Sequence, residues 1–229
     1  MNKRLISLLA AALLLFLPAC QQLGRPLTLR ELIANAQEGN TAAQYLYACM
    51  ALTGKGMDQN PKLAFQWFRA AAAADHPAAT GALGACYMAG LGTPKDTRQG
   101  MRYLRKAAGM GHVPSALTLA NLAKDRGDTE EYFAWLFRAA ASGDQATQDY
   151  LADLYLAGTK LPLSDREMVD YLRYAAMDDN PKALYGMYLC NLHGKGLPKN
   201  LLLAEAWLRM AAKAGSEEAK SVLESRKQK

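Results

Sequence analysis

The stretch Ala64-Phe65-Gln66-Trp67-Phe68-Arg69-Ala70-Ala71-Ala72 occurs, in outline, five times in this chain. Its shape returns from Gly100 to Ala108 around Tyr103, again around Trp135 and Tyr171, and as Ala204-Glu205-Ala206-Trp207-Leu208-Arg209-Met210-Ala211-Ala212. The aromatic anchors at 67, 103, 135, 171 and 207 are 36, 32, 36 and 36 residues apart. A fixed period in this range marks a solenoid, in which each unit buries its apolar face only against its neighbours.

The glycine or aspartate that precedes each unit sets the register: Gly39, Asp75, Gly111, Gly143, Asp179 and Gly215. Counting from it, small residues stand at +4 (Ala43, Ala79, Ser115, Thr147, Ala183, Ala219) and at +9 (Ala48, Gly84, Ala120, Ala152). Larger ones stand at +8 (Tyr47, Leu83, Leu119, Leu151, Met187, Leu223), and +12 holds Ala51, Tyr87, Ala123 and Tyr155. These offsets share one face of a helix and predict a first helix packed through that face. Loop glycines follow at +15 and +17, as Gly54/Gly56, Gly90/Gly92 and Gly194/Gly196. Glycine there suits the left-handed turn that closes a helix. The second helix then carries the aromatic anchor and an Ala-Ala pair. Each anchor is expected to be buried and to contribute on the order of 1.5–3 kcal/mol.

Composition agrees with helices. Half of the 229 residues are hydrophobic and about a fifth charged, as in folded domains, and alanine and leucine outnumber β-branched residues. The formal charge is +6, but Lys3 and Arg4 belong to an apparent leader, and without them 25 basic residues face 21 acidic ones. The remainder, much of it in Arg226, Lys227 and Lys229, predicts a solvated surface with a basic tail and no nucleic-acid groove.

The pattern Ala-Gln, Leu-Gly, Tyr, Gly-x-Gly, Ala-x-x-Trp, Ala-Ala, Gly resembles the Sel-1-like repeat, a branch of the tetratricopeptide superfamily. The resemblance covers residues 39 to about 223. It implies an all-α fold: a right-handed α-solenoid of about five helix-turn-helix repeats with terminal capping helices. The repeats are 39–74, 75–110, 111–142, 143–178 and 179–214 within 39–215, flanked by an N-terminal capping helix over 28–38 and a C-terminal capping helix with basic tail over 216–229. Thr28 and Glu31 form the capping box that opens the first of these. The third unit is four residues short, with Arg126-Gly127-Asp128 for its loop, and the fourth keeps Gly158 but has Lys160 in place of the second glycine. In the fifth, Tyr188 stands at the small position and Asn191 at the tyrosine position.

Residues 1–19 read as an export leader: a basic start at Lys3 and Arg4, then an apolar run from Leu5 to Leu17 too short for a membrane span. It ends Leu17-Pro18-Ala19-Cys20, which resembles a bacterial lipobox, with proline a departure at the middle position. The resemblance implies a lipoprotein signal peptide, a diacylated and N-acylated Cys20, and a lipidated tether over 20–27. Several acyl chains give stable anchoring where one does not. Gln21, where an aspartate would retain the protein at the inner membrane, implies the outer membrane and a periplasm-facing array.

Little else in the sequence points to chemistry. Cys49, Cys86 and Cys190 lack the Cys-x7-Cys spacing of disulfide-bearing relatives and read as small packing residues. His76 and His112 occupy equivalent places after the repeat-opening residue, as turn or capping residues, and neither has metal-ligand spacing. No Gly-x-Ser-x-Gly, His-Glu-x-x-His, phosphate-loop or Ser-x-x-Lys string occurs. The expectation is therefore no cofactor, no metal and no catalysis. Offsets +3, +6, +10 and +14 lie opposite the packing face and predict a concave surface for a protein or peptide partner, with Tyr45, Asn121, Asp149, Asp153 and Tyr185 as candidate contacts. Two other functions remain open at this point. One is an immunity protein against a phospholipase effector of type VI secretion, which the family resemblance suggests. The other is a cell-wall or β-lactam-binding enzyme.

Overall fold

The computed structural model describes residues 28–227. The leader, Cys20 and the tether lie outside the described residues. Within them the chain forms helices and no strand: α1 (Leu29–Gln37), α2 (Thr41–Thr53), α3 (Pro61–Ala73), α4 (Pro77–Ala89), α5 (Thr97–Gly109), α6 (Val113–Asp125), α7 (Thr129–Ala141), α8 (Gln145–Leu156), α9 (Asp165–Met177), α10 (Pro181–His193), α11 (Leu201–Ala214) and α12 (Glu217–Lys227). This is the all-α helical-repeat architecture expected from the period. The chain divides into two compact units, one up to Leu119 and one from Ala120 onward.

The position that opens each repeat explains the Gly-or-Asp choice. Gly39, Gly111, Gly143 and Gly215 have φ between +83° and +109°, and Asp75 and Asp179 have +55° and +54°. A side chain there strains the backbone, and aspartate tolerates the region better than most residues. The next residue caps the first helix. Asn40, His76, Asp144 and Asn180 each accept the backbone N–H three residues on. Asn60, Asp96, Asp128, Ser164 and Asn200 do the same for the second helices. Each cap contributes on the order of 1 kcal/mol.

The packing face of the first helices is where the offsets place it: Ala43, Ala79, Leu83, Ala120, Leu151, Ala152, Ala183 and Met187 are at most 5% exposed. The anchors of the second helices differ from expectation. Trp67, Tyr103, Trp135, Tyr171 and Trp207 are half-buried. The fully buried position is the next one, held by Phe68, Leu104, Leu136, Leu172 and Leu208 at 0–6% exposure. One residue turns the side chain about 100° round the helix, which carries this position into the seam and leaves the larger ring on its rim. There the rings meet neighbours: Trp67 meets Tyr47 edge-on at 5.7 Å, Tyr103 stacks on Tyr87 at 5.6 Å, and Phe65 packs edge-on to the same Tyr87 at 5.2 Å. In the second unit, Phe137 meets Tyr171 at 5.3 Å.

Glycine at +17 has a role beyond turning the chain. A Cβ on Gly92 would lie 2.1 Å from the carbonyl oxygen of Pro61, and one on Gly196 would lie 2.2 Å from that of Asp165. Pro61 and Asp165 begin the second helices of the preceding repeats, so the loop of one hairpin seats directly on the backbone of the last. Gly127 has a similar φ of +74° with nothing near its missing Cβ. Gly92→Ala should therefore lower stability by about 3 kcal/mol or more, whereas Gly127→Ala should cost only about 1 kcal/mol. Urea denaturation of the two variants measures the difference, and equal losses would contradict the seating.

Candidate functional site

The first helices carry the predicted contact residues, and the structure sorts these by offset. A side chain at +6 points to the capping residue of the next repeat. Tyr45 stacks on His76 with ring centroids 5.0 Å apart and meets Phe68 at 5.9 Å. It is 8% exposed, so the expectation of an open contact at Tyr45 is corrected. Offset +6 lies only about 60° beyond the buried +9 row, and the next repeat covers it. Burial, with Cys49 beside it, raises the Tyr45 phenol above its ordinary range. Asp149, also at +6, accepts a 2.7 Å hydrogen bond from Nδ2 of the buried Asn180 and one of 3.2 Å from Gln145. It too joins two repeats. Tyr185 is half-buried, its ring 5.5 Å from Tyr188, and burial is the main cause of its raised phenol pKa.

At offset +10 the repeats differ: Ala85 is buried and Cys49 half-buried, whereas Asn121 and Asp153 are exposed, and Asp153 pairs with Lys182, whose ammonium is stabilised chiefly by that hydrogen bond. With its partners 34% and 54% exposed, such a pair contributes about 0–1 kcal/mol. It can exchange for a partner's charges at little cost, whereas Asp149 is held by a buried amide. Four of the predicted residues thus fall in the second unit, on α6, α8 and α10, and Tyr45 falls in the core of the first.

The sequence reading missed Lys182 and the polar clasp beneath it. Gln148 is 1% exposed and donates from Nε2 to the Ala140 carbonyl at 3.0 Å, as Gln44 does to Ala36 at 3.1 Å. Both occupy +5, as Ala43-Gln44 and Thr147-Gln148, so the signal was present. Tyr171 adds a bond from its hydroxyl to the Gln148 carbonyl at 3.2 Å.

The histidines and cysteines serve packing. His76 Nδ1 accepts from Ala79 N at 3.2 Å, and His112 Nδ1 lies 2.8 Å from Ser115 Oγ in space left by Gly81. Cys49, Cys86 and Cys190 are free thiols. Burial pushes Cys49 and Cys86 up to about 12, far from the thiolate form that nucleophilic chemistry requires. Among the described residues no cluster of His, Cys, Asp or Glu could hold a metal ion, and no helix is long and apolar enough to cross a membrane.

Comparison with known proteins places this geometry. The Sel1 repeat family matches residues 41–76, 77–112 and 181–216. The stretch between the second and third matches contains the hairpins with the shortened loop and the missing second glycine. An uncharacterized protein of Neisseria meningitidis serogroup B, NMB1327, is 31% identical over 182 residues, covering 80% of this chain. This chain spans only 38% of that relative's length. A solved Sel1 repeat protein from Oxalobacter formigenes superposes with a TM-score of 0.54 at 24% identity, covering 93% of this chain and 88% of that one. A protective antigen of uropathogenic Escherichia coli displaying an SLR fold gives 0.55 at 21% identity, covering 95% and 50%. At these identities the two structures speak for the fold alone.

Burial also makes the repeat-opening histidines sensitive to acid. The His112 imidazole is pushed down to about 4 by burial first and by the neighbouring His76 second. In the unfolded chain it titrates near 6.5, so between pH 6.5 and 4 the unfolded state binds the extra proton. Stability should fall over that window as the pH drops, by on the order of 1–3 kcal/mol from this group. His112→Asn should flatten that part of the profile in urea melts taken from pH 7 to 4, and an unchanged slope would show that His112 is not the source.

Proposed function

The chain carries Sel1 repeats, a TPR-like helical design generally used to hold protein partners, and from that premise we propose that it is a non-catalytic, lipid-anchored scaffold of the bacterial envelope. On this reading Cys20 carries the acyl chains, the tether over 20–27 leads into α1, and the array faces the periplasm, at the outer membrane as Gln21 implies. The partner is a protein or peptide that lies along the first helices of the second unit. The observation that carries the proposal is the Asp153–Lys182 pair, exchangeable charges on a rigid support, with exposed Asn121 at the same offset as Asp153 and half-buried Tyr185 on the helix that carries Lys182.

Helix packing supplies that rigidity. Asn180, which caps α10, donates from Nδ2 to Asp149 Oδ1 and Gln148 Oε1 on α8, and Tyr155 adds a contact of its hydroxyl to Cys190 Sγ at 3.5 Å. A partner meeting such a surface loses little free energy in ordering it. A carboxylate and an ammonium that pair with each other at the surface suit a polar peptide better than a small apolar ligand.

Two measurements test the proposal. Cys20→Ser should move the protein from the membrane to the soluble periplasmic fraction, and an unmodified native mass with unchanged fractionation would refute the anchor. Affinity capture from envelopes with the intact lipoprotein should yield a partner whose recovery falls about tenfold when Asp153→Ala and Tyr185→Ala are combined, as expected for loss of contact residues in a binding face. Recovery unaffected by that pair, with circular dichroism unchanged, would remove the assigned surface.

A further inference from the structure

The second helices carry a pattern that the scaffold reading leaves unused. Three slots follow each of their caps, at the second, sixth and ninth residue beyond it. They are spaced four and three residues apart and so share one helix face. In α1, α3 and α5 these nine slots hold Arg30, Ala34, Gln37, Lys62, Gln66, Arg69, Arg98, Arg102 and Arg105, and every one is exposed. Six are cationic and none is acidic.

The same slots in the second unit differ in kind. They hold Glu130, Ala134 and Phe137 on α7, then Arg166, Asp170 and Arg173 on α9, then Leu202, Ala206 and Arg209 on α11. There Arg173 pairs with Asp170 at 2.8 Å and Arg209 with Glu205 at 3.1 Å. The two units also differ in overall charge. From residue 28 to 119, nine basic side chains face five acidic ones, and from 120 to 227, fourteen face sixteen. The small positive balance of the whole chain hides this separation.

We propose that the second-helix face of the first unit is a docking surface for anionic phospholipid headgroups. The choice of a bilayer over another polyanion rests on the proposed Cys20 anchor. The tether of eight residues reaches at most roughly 30 Å, so it holds α1 close to the headgroups. α1 itself presents a shallow, open hollow lined by Leu29, Ile33 and Ala34 beside Arg30. Basic side chains flanking such an apolar edge match the composition of the interface, where guanidinium groups meet phosphates and short apolar side chains meet the glycerol region. The second unit, net acidic, is repelled by the same surface. The result is an array bound to the membrane by its first repeats.

Binding of the full chain to vesicles tests this. Neutral phosphatidylcholine vesicles report the anchor or leader, and vesicles with 30% phosphatidylglycerol, at roughly this stated composition, report the anchor plus the basic face. The anionic increment should weaken as salt rises from about 50 to 300 mM, since screening shortens the reach of the charges. Arg98→Glu with Arg102→Glu should reduce the increment at least about tenfold. Arg166→Glu with Arg173→Glu changes net charge by the same amount and should reduce it less than about twofold. Equal losses in the two pairs, no anionic increment in the wild type, or tighter binding to duplex DNA than to these vesicles would overturn the proposal. In a Cys20→Ser background the increment should persist while binding to neutral vesicles falls, so failure of the anchor and failure of the face are read separately.

Discussion

Everything in this structure depends on helix backbones coming close enough to exclude all but small side chains. Gly84 and Gly100 show the limit: a Cβ on the first would lie 3.0 Å from the carbonyl oxygen of the second, and the reverse distance is 2.9 Å. The Ala-Ala pairs of the second helices, at 71–72, 107–108, 139–140 and 175–176, are at most 5% exposed for the same reason. Gly84 and Gly100 join the two helices of one hairpin, and Gly92 and Gly196 seat their loops on the hairpin before. Stability is therefore shared with the neighbours through one buried Leu or Phe per second helix and through the small-residue seam, as the nearest-neighbour energetics of repeat arrays require.

That division of labour frees the outward surfaces. Since the seam fixes the fold, the residues on the far sides of the helices are unconstrained by packing, and there the repeats diverge. The first helices present polar groups that either join repeats, as Asp149 does through Asn180, or stay exchangeable, as Asp153 does with Lys182. The second helices present cations in one unit and a mixture of acids, apolar groups and paired arginines in the other. One scaffold thus carries two chemically distinct surfaces without changing its core.

The fold was legible because its determinants are periodic and local. The left-handed opening residue, the caps and the packing offsets all recur, and each needs only a short window to be read. Burial of the anchors was misassigned by one position. A tryptophan or tyrosine is large and seldom fully enclosed, whereas the leucine or phenylalanine after it, such as Phe68 or Leu172, fills the seam. The contact surface was legible only as a helix face. Whether a residue on that face is free depends on what the following repeat places against it, about 31 residues away for Tyr45 with His76 and for Asp149 with Asn180. Periodicity supplies no such pairing. The cation grid escaped notice for a related reason: net charge sums over both units, and only alignment of the helices slot by slot separates them.

Amide hydrogen exchange of the purified chain, followed peptide by peptide, tests the central claim most directly. If the small-residue seam carries the stability, protection should peak once per repeat, at the Ala-Ala pairs and the buried residue before each of them, and fall at every glycine loop. Protection that is flat along the chain, or concentrated in one hairpin, would contradict a structure held together by its seams.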